Sequence, residues 1–269
     1  MDSSRNLKLI FITFCIFLYT IICASDNYIS SDSSKLEIST EIVLHNFLYS
    51  NDTEQVENDF LKIINNENNY RDLIFTELKE YLEKPDSTPD ALIYLAAYIK
   101  DKRYISILTS FIENPEYSFD RCIYTCPIIF ALTVYSCFSS YSLPDTLNKD
   151  LVPVQDLISE INRVNKVTLK SEKASDYIQG PGIDSDLKLG ESMTTEQLII
   201  LASPKNDGSI SRLAAAIILE YRIDSDKYLP NLYWLAITGY RDASMEFLSS
   251  IHRAIYKAEI AKLKKASIR

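Results

Sequence analysis

Glycine is scarce in this chain. It occurs at 5 of 269 positions, and three of those, Gly180, Gly182 and Gly190, fall in one short region. Little is left for β-hairpin turns or for loops that let backbone cradle a phosphate, which favours helices throughout. Histidine is nearly absent, with only His45 and His252. A Ser-His-Asp or Cys-His site would need one of them, yet both sit beside apolar helical stripes and neither neighbours a nucleophile motif. Each therefore reads as a packed helical residue rather than a general base. A basic excess is also missing. The net charge of −9 argues against a nucleic-acid partner, since phosphate backbones are held by clustered Lys and Arg, and it suits a basic protein partner better. No apolar run beyond residue 24 approaches transmembrane length.

What is present is an ordinary globular composition, 46% hydrophobic, enough for a sizeable core. The 18 tyrosines, at helical spacing, read as core and core-edge residues. Residues 1–24 have the form of a secretory signal: Arg5 and Lys8, then an apolar run from Leu9 to Ile22 broken only by Thr13 and Thr20, then a small-residue cleavage site ending at Ala24. As a helix that run spans roughly 21 Å, short of the ~30 Å hydrocarbon core, which favours cleavage over the alternative of an uncleaved anchor holding an envelope protein, and no stable membrane insertion is expected once the signal is removed. Ile21 and Ile22 stand where small residues would precede a lipid-bearing cysteine at Cys23. The expected location is exported, periplasmic or secreted.

The expected organisation is a flexible lead-in over 25–35, an N-terminal helical half over 36–143, a connection over 144–192 holding one helix and a long exposed loop, and a C-terminal helical half over 193–269. Asp52 with Gln55 and Thr194 with Gln197 have capping-box spacing. Thr88 and Pro89 have the form of an N-cap and first helical residue. The helices on either side of Asp101-Lys102 are so closely joined that they are expected to lie antiparallel. Cys126-Pro127 opens a segment, Ile128–Phe138, that is apolar on every face and must be buried all round. Gly239 fits a C-terminal helix cap before a last helix from Asp242, whose basic end KLKK suits a helix C-terminus.

Outside the signal the cysteines are Cys122, Cys126 and Cys137, an odd number for an oxidising compartment. Loop-closure entropy gives ~2 kcal/mol for a Cys122–Cys126 bridge and ~3 kcal/mol for Cys122–Cys137, too small a difference to choose between them. Geometry favours Cys122–Cys126, which flank a short loop, while Cys137 lies about three turns into the apolar helix. Three thiols without a fourth ligand are a poor metal site. The D-x-D pairs Asp184/Asp186 and Asp224/Asp226 could hold a divalent cation but read as solvated acidic residues. No catalytic set, metal or cofactor is expected. The candidate binding loop comprises Gly180, Gly182, Asp184, Asp186 and Gly190. Asn51-Asp52-Thr53 is a glycosylation sequon.

Tyr94-Leu95-Ala96 recurs 140 positions later as Trp234-Leu235-Ala236, and at the same shift Ile105 matches Met245 and Leu108 matches Leu248. Helical hairpins are being reused. Around the second copy, Leu235-Ala236, Gly239, Asp242-Ala243 and Phe247-Leu248 resemble the helix–turn–helix of Sel1-like repeats, relatives of tetratricopeptide repeats, over about 213–248. A second alanine and the glycines between paired helices are missing. The resemblance implies stacked helix pairs with a concave protein-binding face, and carries no catalytic residue across. The expected fold is all-α, antiparallel hairpins stacked as a solenoid-like α/α repeat. The expected function is protein–protein binding as an adapter, scaffold or immunity-type antagonist of a basic partner. The rival is a carboxylate-dependent hydrolase on a helical scaffold, which requires two carboxylates ~5–10 Å apart in a concave pocket.

Overall fold

The structure is a computed structural model that describes residues 33–84, 88–114, 126–138, 142–167, 169–178, 180 and 182–267. The signal segment 1–24, most of the lead-in and Cys122 lie outside the described residues. Contacts divide the chain into two units, Met1–Ile42 and Val43–Arg269. Of the first, only 33–42 is described, and it is helical from Ser33, earlier than the lead-in's expected end. The second unit holds the rest of the described chain.

The described residues form α-helices and short 3-10 turns, with no strand. The helices are α1 (Ser33–Tyr49), α2 (Thr53–Asn65), α3 (Glu67–Glu80), α4 (Asp90–Ile99), α5 (Arg103–Glu113), α6 (Pro127–Phe138), α7 (Val152–Val164), α8 (Asp184–Gly190), α9 (Thr195–Ala202), α10 (Arg212–Arg222), α11 (Leu229–Asp242) and α12 (Met245–Ser267). None is long and apolar enough to cross a membrane. Caps set several boundaries. Asp52 accepts from the backbone of Glu54 and Gln55 at 3.0 and 3.2 Å, and Thr194 and Gln197 close a full capping box. Thr88 does not cap. The helix starts one residue late, with Pro89 at the N-cap, and the Thr88 hydroxyl has no partner among the described residues.

At the centre α4 packs on α6 and α11, and α12 packs on the same two. These four helices need one another because α4 and α6 are apolar almost all round and can expose no face. Their contribution is aromatic. Phe130 of α6 stacks on His252 with centroids 4.2 Å apart and on Tyr256 at 5.5 Å, and its ring also meets Tyr94 of α4 and Tyr233 of α11. His252 is therefore a core residue, hydrogen-bonded to the Tyr94 hydroxyl at 2.8 Å. Buried phenols elsewhere find backbone acceptors: Tyr104 donates to Arg71 O at 2.8 Å, and Tyr135 is shared between Ala96 O and Asp101 O at 3.0 Å.

Outward from this centre, α6 carries α5 and α7, α4 carries α3, and α12 carries α10, which holds α8 and α9. α2 and α9 both reach α11. Lys100 turns the chain between α4 and α5 in the left-handed region at φ 57°, and each of the two helices packs more extensively on α6 than on the other.

Gly239 also departs from expectation. α11 runs on to Asp242, so Gly239 is an interior helical residue, and a Cβ built there would stand 2.3 Å from Cε1 of the buried Phe247 ring. Here glycine is required by the approach of α12, not by a turn. Gly239→Ala gains about 1 kcal/mol of helix propensity but overpacks a filled site at about 1–3 kcal/mol. The expected outcome is a lower urea midpoint. A midpoint equal to or above that of the wild type would show that the ring can swing aside.

Candidate functional site

A cleft of about 140 Å³ opens between α2, α9 and α11. That is room for one bulky side chain, well below the roughly 300–1,000 Å³ of small-molecule pockets. Its floor is Trp234 and Leu235 of α11, and Ile199, Ile200 and Pro204 form an apolar wall. Trp234 is held flat by a run of rings: it stacks on Phe60 at 5.8 Å, and Phe60 stacks on Phe47 at 5.9 Å. Ile200 is 56% exposed at the rim, which continues the apolar wall out to the mouth of the cleft.

The polar side of the rim is Thr53 and Glu57 from the first turns of α2, with Lys205 opposite. Local chemistry fixes where Lys205 stands. After α9 the Ser203 hydroxyl donates to Ile200 O at 2.7 Å and accepts from Lys205 N at 3.1 Å, and the Asn206 amide ties the turn to Leu201 O and Ile210 O. The Lys205 ammonium then meets Glu57 Oε2 at 2.7 Å. The hydrogen bond and charge of Glu57, with Glu54 adding its charge at longer range, raise the pKa of Lys205 above the ordinary lysine value. With Lys205 64% and Glu57 29% exposed, the pair is a surface bridge worth about 0.2–1 kcal/mol, weak enough to be exchanged.

Residues singled out in the sequence lie elsewhere. The segment 166–192 is not a continuous exposed loop: Ala174 and Leu187 are fully buried, and Asp184–Gly190 is the helix α8 packed on α10. Asp184 accepts from Gly180 N at 2.8 Å and Asp186 from Ser211 N at 2.8 Å, so both carboxylates serve as backbone acceptors. Gly190 is buried where a Cβ would meet Ile218 at 2.4 Å; Gly182, at φ 94°, is the one of the group that turns freely into solvent. Asp226 accepts from Lys265 at 3.4 Å, and Asp224 is exposed. Among the described residues no group of three His, Cys, Asp or Glu is placed to hold a metal ion. The cleft offers one carboxylate, Glu57, and no second one lines it.

Cys126 is buried at the start of α6. The Cys122–Cys126 bridge falls outside what is described, because Cys122 does. Cys137 keeps a free thiol, pushed up to about 11 by burial first and by the charge of Glu160 second, so it stays protonated and unreactive near neutral pH. His45 is exposed on α1, its ring 4.9 Å from Tyr49. Lys205 and Glu57 carried no signal in the sequence, being 148 residues apart.

No known protein family matches the chain, and no characterised protein and no solved structure matches it either.

Proposed function

We propose that this is an exported, non-enzymatic protein that binds a basic protein partner, seating one bulky apolar side chain of that partner in the cleft over Trp234. The observation that carries the reading is the cleft itself: an apolar floor set by stacked rings, a protruding Ile200, and an acidic edge at Glu57. Such a buried aromatic anchor site ringed by polar groups is the usual centre of a protein interface. The charge distribution supports a basic partner. Residues 25–114, which include α2, hold 17 Asp and Glu against 8 Lys and Arg, whereas 115–269 are near balance at 19 against 18.

The scaffold we read as reuse of one helical unit, α4 with the helix after it and α11 with α12. The 140-residue recurrence supports this, as does the packing of α4 against α11. Stacked Sel1-like pairs are the fuller form of the same proposal. Export is supported by the charged and apolar pattern of residues 1–24.

A photo-crosslinking residue placed at Ile200 and, separately, at Val152 tests the function. Val152 is 66% exposed and outside the cleft. In the native host, Ile200 should give one discrete protein adduct and Val152 none. Equal labelling from both positions, or none from either, would count against binding through this cleft.

A further inference from the structure

Resting on that reading, we infer that Lys205 is an internal stand-in for a cation of the partner: its ammonium occupies the place on Glu57 that a lysine or arginine flanking the partner's apolar anchor takes on binding. Lys205 is the only basic residue lining the cleft. It reaches across the mouth from the α9 side to α2, and its side chain is 64% exposed, so it can swing into water without uncovering any core. Two carboxylates, Glu57 in contact and Glu54 beyond it, act on this one ammonium. When it leaves, the rim is left with net negative charge beside an apolar floor, the complement of a basic segment bearing one large apolar side chain.

The exchange conserves ion pairs. Glu57–Lys205 breaks as Glu57–partner forms, so the charge contact adds little net affinity and instead selects against acidic segments, which would face Glu57 and Glu54. Lys205 thus sets specificity and competes with what it mimics. An anionic occupant would make the opposite demand, using Lys205 as its own partner.

The chain has one tryptophan, Trp234, and it floors the cleft, so its fluorescence reports occupancy. The probes are a short peptide with one leucine flanked by lysines, its glutamate-for-lysine counterpart and its alanine-for-leucine counterpart. With the full chain, the lysine–leucine peptide should shift Trp234 emission saturably and the other two should not. Lys205→Met should tighten that binding roughly fivefold, the equivalent of releasing one exposed ion pair, and make it salt-dependent, and Glu57→Gln, which leaves Lys205 unpaired at the rim, should reduce the discrimination against the glutamate peptide. Weaker binding in Lys205→Met, or a preference for the glutamate peptide, overturns the role given to Lys205 while leaving the cleft as a binding seat. Silence of Trp234 toward all three peptides, in both the wild type and Lys205→Met, overturns the seat and this inference together.

Discussion

Titrating the protein upward through pH 10 is expected to unfold it in one steep transition, with its buried tyrosines ionising only as the helices are lost. Burial is the first cause holding the phenols of Tyr104, Tyr135, Tyr233 and Tyr256 well above their ordinary value of 10.0, and nearby carboxylates or phenols add to it. All four side chains are essentially inaccessible to water. A raised folded-state value means that the folded protein keeps a proton which the unfolded chain gives up near pH 10. The stability so contributed is complete below pH 10 and is lost as pH rises from there towards the folded values. Each such tyrosine costs about 1.4 kcal/mol per pH unit, so four cost about 5–6 kcal/mol per unit. A typical total of about 5–15 kcal/mol would be exhausted within one to three units. Lys100 and Lys257 act the other way. Burial lowers both below the ordinary 10.5, so the folded state gains as pH climbs towards 10.5, but these are two groups against four and their effect ends there. Exposed phenols such as Tyr177 ionise with the helices intact, and the tyrosinate absorbance that remains should then rise in one step coincident with the loss of helical circular dichroism above pH 10. Stepwise ionisation of the four buried tyrosines with the helical signal intact would show that the aromatic centre admits water.

That centre was partly legible. The all-round apolar pattern of Ile128–Phe138 required burial on every side, and α6 is buried over nearly its whole length because no other environment suits it. Asp52 and Thr194 were readable as caps because a cap is settled by three or four adjacent residues. What sequence could not supply was which apolar faces meet. The tight link at Lys100–Lys102 says nothing of what covers a fully apolar α4, and that cover comes from α6 and from α11, more than a hundred residues away. The same limit hid the site. Glycines and aspartates near 180–190 had the composition of an exposed loop, but Leu187 and the close fit of Gly190 draw that segment onto α10. Trp234 stood out only as a repeat residue, and nothing in its neighbourhood says that Ile200 and Glu57 will stand over it.

Removing Glu259 is expected to be the most damaging single change on the polar side of the core. Its carboxylate is 3% exposed and lies 2.6 Å from the Lys100 ammonium, itself 16% exposed. Lys100 also donates to Tyr98 O at 3.3 Å, and Tyr233 reaches Glu259 at 3.4 Å, so one buried charge pair ties α4 to α12 and α11. Desolvation disfavours the ammonium and Glu259 is what opposes it. In Glu259→Leu that ammonium loses its hydrogen-bonded carboxylate and keeps only the more distant charge of Glu67, and it must either remain charged in an apolar site or lose its proton. Breaking a buried pair from one side costs about 3–5 kcal/mol. Lys100 meanwhile holds a left-handed backbone that is unfavourable for a side-chain-bearing residue by about 1–2 kcal/mol, so the loss of its partner falls on a turn already under strain. Lys100→Met with Glu259→Leu removes both charges, and because a buried pair is often no better than apolar residues of similar volume, the double variant should recover most of the loss. Urea midpoints of the four proteins measure this cycle. The deficit of Glu259→Leu should also shrink as pH rises towards 10, since deprotonation of Lys100 removes the unpaired charge, before the tyrosine transition begins. A loss under about 1 kcal/mol, or a double variant as unstable as the two single losses combined, would mean that water reaches Lys100 and that the pair is not what joins these helices.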